Sequence, residues 1–193
     1  MFSLYQFLIY VFVTAYTPGP NNIMSLSNAV RYGFKKSFPF NLGILAGFSI
    51  VMLFCTLLSA IIFSYIHQAK IYMQVIGASY MLYLAWKTWK SSSEIELKET
   101  KGASFTSGLT LQFVNPKIYI YAVTAMSTFI LPYFGSTSAL LGFALFLAFV
   151  GFTGSIAWSV FGSTFRKILS NYAKIVNPIL ALLLIYCAIS LFL

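Results

Sequence analysis

Two short clusters in this sequence carry residue types that could do chemistry, and both sit inside apolar stretches. The first is Asn115-Pro116-Lys117, within a run from about Phe105 to Leu131. Lys117 lies about twelve residues into that run, about 18 Å along a helix rising 1.5 Å per residue. A hydrocarbon core is about 30 Å thick, so this is near its middle. A lysine at that depth costs at least about 2.5–3.5 kcal/mol on insertion scales. Pro116 removes a backbone donor and steers Asn115 away from helical geometry. Asn before Pro reads as an N-cap followed by a first-turn proline, so a second half-helix is expected to start here. Lys117 then falls at a helix end whose partial positive charge disfavours a cation. Two readings follow: a kink with a lysine snorkelling to the headgroups, or a mid-membrane site that attracts an anion.

The second cluster is Thr17-Pro18-Gly19-Pro20-Asn21-Asn22, inside an apolar run from about Phe2 to Val30. Pro18 and Pro20, flanking a glycine, cannot continue an α-helix. Unwound backbone at this depth is tolerated only where it is buried in protein or lines a cavity. Asn21 and Asn22 can bond the freed carbonyls, which would make the break structural, or they can bond a ligand. A half-helix beginning there would offer unpaired N–H groups to an anion. The two breaks together describe a place for a zwitterion. Its carboxylate would lie near Asn21, Asn22, Asn115 and Lys117. Its ammonium would face the carbonyls of Thr17, Pro18 and Gly19 and the polar groups of Gln112, Asn41 or Tyr121.

The surrounding composition demands a membrane. Sixty per cent of the residues are hydrophobic and only 8% charged, with a mean hydropathy of +0.86. Soluble domains do not have this balance. The expected fold class is an all-α integral membrane protein, a single transmembrane domain over residues 1–193. The net charge of +9 does not point to nucleic acid, because the basic residues are scattered at the ends of apolar segments, where they act as topology signals. The first apolar run lacks a basic leader and a small-residue cleavage site, so it reads as a retained helix. No cofactor or metal site is expected. The expected partners are a small amino acid and membrane lipid, with a homo-oligomer left open.

Six apolar segments can be counted: about 2–30, 38–66, 71–89, 105–131, 139–163 and 175–193. Arg31, Lys35, Lys36, Lys87, Lys90, Lys98, Lys101, Arg166, Lys167 and Lys174 fall in alternate connections, while the opposite side carries Lys70 with His67 beside it. The positive-inside rule then puts both termini outside. The only acids, Glu94, Glu96 and Glu99, cluster in the central loop, about residues 90–104.

Segments one and four are each broken by proline and asparagine. Segments two and five each carry small residues at four-residue spacing: Gly43 and Gly47 in one, Gly151, Ser155, Ser159 and Ser163 in the other. Such ladders let helices approach closely. Three spans per half is an odd number, so the second half must be inverted relative to the first. The expectation is two inverted three-helix repeats, about 1–90 and 105–193, with the first helix of each broken near mid-membrane. Interrupted segments in corresponding positions mark a transporter's central site. Asn177-Pro178 repeats the Asn-Pro pair near the start of segment six, where it is expected to start or kink the helix.

These motifs resemble a known family. Thr17 to Asn22 is similar to the TPGPxN signature of the LysE/RhtB amino-acid exporters, and Asn115-Pro116-Lys117 to that family's second-half NPK. Phe40 to Gly47 and Gly77 to Lys87 fit as well, so the resemblance covers essentially the whole chain. Gln112 to Lys117, Val123 to Phe129 and Ala181 to Ala188 resemble the branch that exports cysteine and O-acetylserine. The resemblance implies a bacterial inner-membrane protein, not an enzyme, that exports small amino acids using the membrane gradient. Proton-driven exporters usually carry an intramembrane carboxylate; none is present here, so if protons are coupled Lys117 is the main candidate carrier, and the substrate's own amino, thiol or carboxylate groups could also move the proton.

Two other functions compete. A membrane thiol–disulfide relay would use Cys55 and Cys187, one per half, but neither lies at a break where a thiol would be activated. A passive pore would need a continuous polar stripe, and the polar positions are isolated. The topology is testable by accessibility labelling. Lys98 should label only from the cytoplasmic side, and Phe2 and Leu193 positions only from outside. A cytoplasmic C-terminus would overturn the six-span reading.

Overall fold

The computed structural model describes residues 2–57, 59–90 and 103–192, and their regular secondary structure is entirely helical. The first apolar segment is two helices, α1 (Leu4–Tyr16) and α2 (Pro20–Tyr32). α3 (Phe34–Leu57) and α4 (Ser59–Lys90) follow. The fourth segment is also divided, into α5 (Phe105–Val114) and α6 (Pro116–Thr124), and α6 runs on through a π-helical turn, Ala125–Ile130. α7 (Thr137–Thr164), the short α8 (Arg166–Asn171) and α9 (Ala173–Ile189) complete the chain.

Local chemistry sets the helix ends. Pro20 and Pro116 each occupy the first position of a helix, where a missing N–H costs nothing. Ser104 and Ser136 cap α5 and α7 through their side chains. α2 stops at Gly33, whose φ of 79° suits glycine. The carbonyls of Val30 and Arg31 at that end accept from Arg166 Nε and Nη2, each at 3.0 Å. A guanidinium at a helix C-terminus also complements its partial negative charge.

Two boundaries differ from the sequence reading. The turn expected around His67 to Lys70 lies within α4, which is helical from Ser59 to Lys90. A dip in hydropathy at His67-Gln68-Ala69-Lys70 carries no glycine or proline, so nothing in it stops a helix. α9 begins at Ala173, a turn ahead of Asn177, so the Asn-Pro pair does not start it and Pro178 lies inside. Glu94, Glu96, Glu99, Lys98 and Lys101 lie outside the described residues.

Glycine seams hold the bundle. A Cβ on Gly43 would overlap the Phe105 carbonyl oxygen, one on Gly108 the Phe40 carbonyl oxygen, and one on Gly47 would stand 2.8 Å from Leu109 oxygen. α3 and α5 therefore touch at the level of their backbones, and because Gly43 meets 105–109 while Gly47 meets 109–112, they run parallel. α2 and α7 form a second parallel pair, Asn22 meeting Ser155 and Leu26 meeting Gly162. At one end of the bundle Phe2 packs edge-on against Phe134 with ring centroids 5.3 Å apart, and also meets Phe143. The start of α1, the end of the π-helical turn and the start of α7 therefore share that end.

α3 over Phe34–Thr56 and α7 over Thr137–Thr164 are each long and apolar enough to cross a membrane. Large apolar side chains such as Phe54, Ile76, Trp86, Phe149, Leu182 and Tyr186 face outward. An aqueous surface would not carry so many; lipid accepts them.

The α3–α5 seam is the part of this packing most sensitive to one added methyl group. Gly108→Val should destabilise the protein by at least about 3 kcal/mol through overpacking. Gly142→Val, where an added Cβ meets nothing within 4 Å, should be neutral. Thermal unfolding of both variants in the same detergent checks the contrast.

Candidate functional site

The carbonyls at the first break are all accounted for in hydrogen bonds. α1 ends with carbonyls that no helical turn follows, and each finds a donor. Thr17 N donates to the Val13 carbonyl (3.0 Å), and Thr17 Oγ1 to that of Thr14 (3.0 Å). Asn22 Nδ2 donates to the carbonyls of Ala15 and Thr17, both at 2.9 Å. Trp158 Nε1 donates to that of Tyr16 (3.0 Å). The Asn22 Oδ1 accepts from Ser155 Oγ at 3.2 Å, so the side chain of Asn22 is spent on structure. On the far side of the break, the N–H groups of Asn21 and Asn22 have no acceptor among the described residues, because the first intrahelical bond of α2 comes from Ile23. Paired carbonyls and open N–H groups are what a broken helix should show when its second half faces a ligand.

The second break is capped by its own asparagine. Asn115 Oδ1 accepts from Lys117 N at 3.1 Å. The Pro116 ring lies against Gly77 of α4, where a Cβ would stand 2.5 Å from Pro116 Cδ. Lys117 then reaches across to the first break. Its Nζ donates to Thr17 oxygen (3.2 Å), Thr17 Oγ1 (3.1 Å) and Pro18 oxygen (3.4 Å). Gly19 gives it room, since a Cβ there would come within 3.0 Å of Nζ. The ammonium of α6 thus sits at the C-terminal, partially negative end of α1.

Three amides join the breaks a second time. Asn21 Nδ2 donates to Gln112 Oε1 at 2.9 Å, and Gln112 Nε2 returns to Asn21 Oδ1 at 3.1 Å. Asn115 Nδ2 donates to the same Asn21 oxygen at 3.1 Å, and Gln112 Nε2 also reaches the Gly108 carbonyl at 2.8 Å. Two cavities lie along α2. A small one of about 40 Å³ is lined by Gly19, Asn21, Asn22, Asn115, Lys117 and Tyr121, with Thr14, Phe48 and Gly151 among its other walls. A larger one of about 400 Å³ is lined by Asn28, Arg31, Lys87, Thr88, Ser104 and Leu111, among others.

The structure therefore brings together most of the residues picked from sequence. Gly19, Asn21, Asn22, Asn115, Lys117 and Tyr121 line one cavity; Thr17 and Pro18 hold its lysine; Gln112 closes one side. Asn41 stands apart. It is buried between α2, α3 and α7, accepting from Ser25 Oγ at 2.8 Å and donating to Ser159 Oγ at 3.0 Å. Sequence reasoning passed over Phe48, Tyr10 and Thr14. Phe48 could have been suspected: it follows Gly47 and packs on Gly151, so both glycine ladders point to it. Tyr10 and Thr14 carry no local signal. Cys55 and Cys187 are free thiols, and no group of three or more His, Cys, Asp or Glu among the described residues could hold a metal ion.

In chemical terms the site offers one cation, two open N–H groups and several carbonyl oxygens around a small space with aromatic walls. The family profile for LysE type translocators matches residues 12–193. The cysteine/O-acetylserine efflux protein of Escherichia coli strain K12 is 40% identical over 190 residues, covering 98% of this chain and 97% of that protein. The protein of the same name from Escherichia coli O157:H7 is 41% identical over the same coverage. No solved structure matches the chain.

Asn22 is the most heavily used side chain at the first break, so its removal should cost stability. Asn22→Ala strands the Ala15 carbonyl and leaves that of Thr17 to Lys117 alone, at about 1–3 kcal/mol for a buried group left unpaired. The expected result is a lowered unfolding midpoint in detergent, larger than for Asn21→Ala, whose bonds are to other side chains.

Proposed function

The chain belongs to the LysE type translocators, and on that premise we propose that it exports small amino acids, cysteine and O-acetylserine foremost, by alternating access across the bacterial inner membrane. The protein is a membrane transporter and not an enzyme. The names of its relatives support the choice of substrates. The observation that carries the site is the Lys117 ammonium held on the α1 carbonyls beside the open N–H groups of α2.

A zwitterion fits that arrangement by exchange of partners. The substrate carboxylate takes the Lys117 ammonium and the N–H groups of Asn21 and Asn22. The Thr17 and Pro18 carbonyls, released from Lys117, take the substrate ammonium. The Asn21–Gln112 amide pair then closes the path between the two cavities and must part for substrate to pass. Two parallel pairs, α2 with α7 and α3 with α5, support a single domain built of inverted halves. Both termini are periplasmic in this reading, the basic connections cytoplasmic, and lipid covers the outer apolar faces. With no acid in any apolar segment, Lys117 is also the group through which protons would be coupled.

Inverted vesicles loaded through uptake of radiolabelled cysteine, O-acetylserine, threonine and lysine, with and without a proton gradient, test the reading. Lys117→Met should lower export at least tenfold at equal abundance, since a charge-assisted bond is worth about 1.5–3 kcal/mol. Lys117→Arg keeps the charge but does not deprotonate. It should retain substrate exchange while losing gradient-driven accumulation. Wild-type export by Lys117→Met would reduce the lysine to a snorkelling residue.

A further inference from the structure

We infer that the Tyr121 hydroxyl reads the substrate's side chain, and that the site therefore selects neutral amino acids with one hydrogen-bonding group at the β or γ position. The inference rests on the small cavity being the amino-acid site.

Tyr121 is 3% exposed and lines that cavity. Its hydroxyl is enclosed, and among the described residues it is the one buried side-chain polar atom with no hydrogen-bond partner. Buried hydroxyls are almost always bonded, because an unmade bond inside a protein is a standing cost. The other buried polar side chains around the two breaks are spent on the fold, as the bonds of Asn22, Gln112 and Asn115 show. The exception beside a cavity marks a bond kept for a ligand.

The ring is also fixed in place. It stacks on Tyr10 with centroids 6.0 Å apart and planes 17° apart, and it meets Phe48 edge-on at 5.8 Å. Phe48 is itself seated on Gly151, where a Cβ would overlap its ring. Tyr121 cannot swing away to find another partner without disturbing three elements.

Its position relative to Lys117 sets the ligand. Residues four apart on a helix share a face and are separated by about 6 Å along the axis. A carboxylate on Lys117 therefore leaves the first few side-chain atoms of an amino acid level with Tyr121. In cysteine, serine or an O-acylated serine the polar side-chain atom lies roughly three to five bonds from the carboxylate carbon, each about 1.5 Å. A thiol, hydroxyl or ester carbonyl can reach the phenol. Alanine has nothing to offer it. A lysine-like side chain brings a second cation toward Lys117 into a space walled by aromatic rings. Sites that hydrogen-bond a substrate group reject analogues lacking it, because their own polar atom stays unpaired.

The test uses the full chain in proteoliposomes and in detergent, with Tyr121→Phe, which keeps the ring and removes only the hydroxyl. Dissociation constants for O-acetylserine, cysteine and alanine are measured as ligand-induced thermal stabilisation, and counterflow is measured for the first two. Affinity for O-acetylserine and cysteine should fall about tenfold, the scale of one lost hydrogen bond, while that for alanine should stay within about twofold. The ligand-free variant should unfold at the same temperature or higher, since it loses an unpaired polar atom. Equal losses for all three ligands, no loss for any, or a destabilised ligand-free variant would each overturn the inference. Lys117→Met in the same assays separates the two levels. If it weakens all three ligands while Tyr121→Phe does not discriminate, the side-chain reading fails and the amino-acid site stands. If it weakens none, the site itself is misplaced.

Discussion

The structure depends on one contact, the Lys117 ammonium on the carbonyls that end α1. Each partner would be untenable alone. A lysine in the first turn of α6 sits at the positive end of a helix, deep in an apolar segment. Carbonyls at a helix end interrupted by Pro18 and Pro20 have lost the N–H donors that a continuing helix would supply. Together the two problems cancel, and the cancellation ties the first half of the chain to the second at their breaks. Other features follow from it. Gly19 has no side chain because the lysine lies across it, and Gly77 has none because the Pro116 ring that begins α6 lies against it.

Around this tie the packing is uneven in kind. On the side of α2 and α5 the helices meet their neighbours at backbone distance through Gly43, Gly47, Gly108 and Gly162. On the side of α1 and the π-helical turn they meet mainly through rings, Phe2, Phe7, Tyr10, Phe129, Phe134 and Phe143, with one backbone contact where Gly154 meets the Ala15 carbonyl. Backbone seams have few alternative arrangements, because a displacement of an ångström removes contacts that no rotamer can restore. Aromatic clusters can repack by rotating rings. The π-helical turn, Ala125–Ile130, lies on the ring-packed side, and π-bulges are common where helices serve function. The cavity with Lys117 lies between these two kinds of packing.

Both breaks were legible in sequence because proline, glycine and asparagine act locally. Asn115-Pro116 specifies a cap and a first turn without reference to anything distant, and the structure has α6 starting at Pro116. The glycine ladders were legible as seams because only close approach explains their spacing. What each polar side chain does was not legible, since that depends on which neighbour arrives. Asn21, Asn22 and Asn41 look alike in the sequence. One bonds across to the second break, one repairs the first, and one stitches three helices well away from the cavity. The stretch from His67 to Lys70, which is helical, was misread for a related reason. Polarity at His67 to Lys70 suggested a turn, but polarity alone does not end a helix when no breaker is present.

The absence of any acid from the apolar segments gives the site its selectivity in the proposed reading. A buried carboxylate beside Lys117 would hold the ammonium in a closed ion pair, and a substrate would have to break that pair against a full opposite charge. Carbonyl dipoles hold it more weakly, so a carboxylate can displace them. Once displaced, the same carbonyls become acceptors in need of a donor, and the substrate that displaced them carries one on the adjacent atom. An anion without an ammonium would leave the Pro18 carbonyl unpaired and that of Thr17 with Asn22 alone. A cation without a carboxylate would find the carbonyls already taken and a like charge beside them. Only a molecule with both charges close together leaves every group at the two breaks satisfied, which is why the geometry favours an α-amino acid over either simple ion.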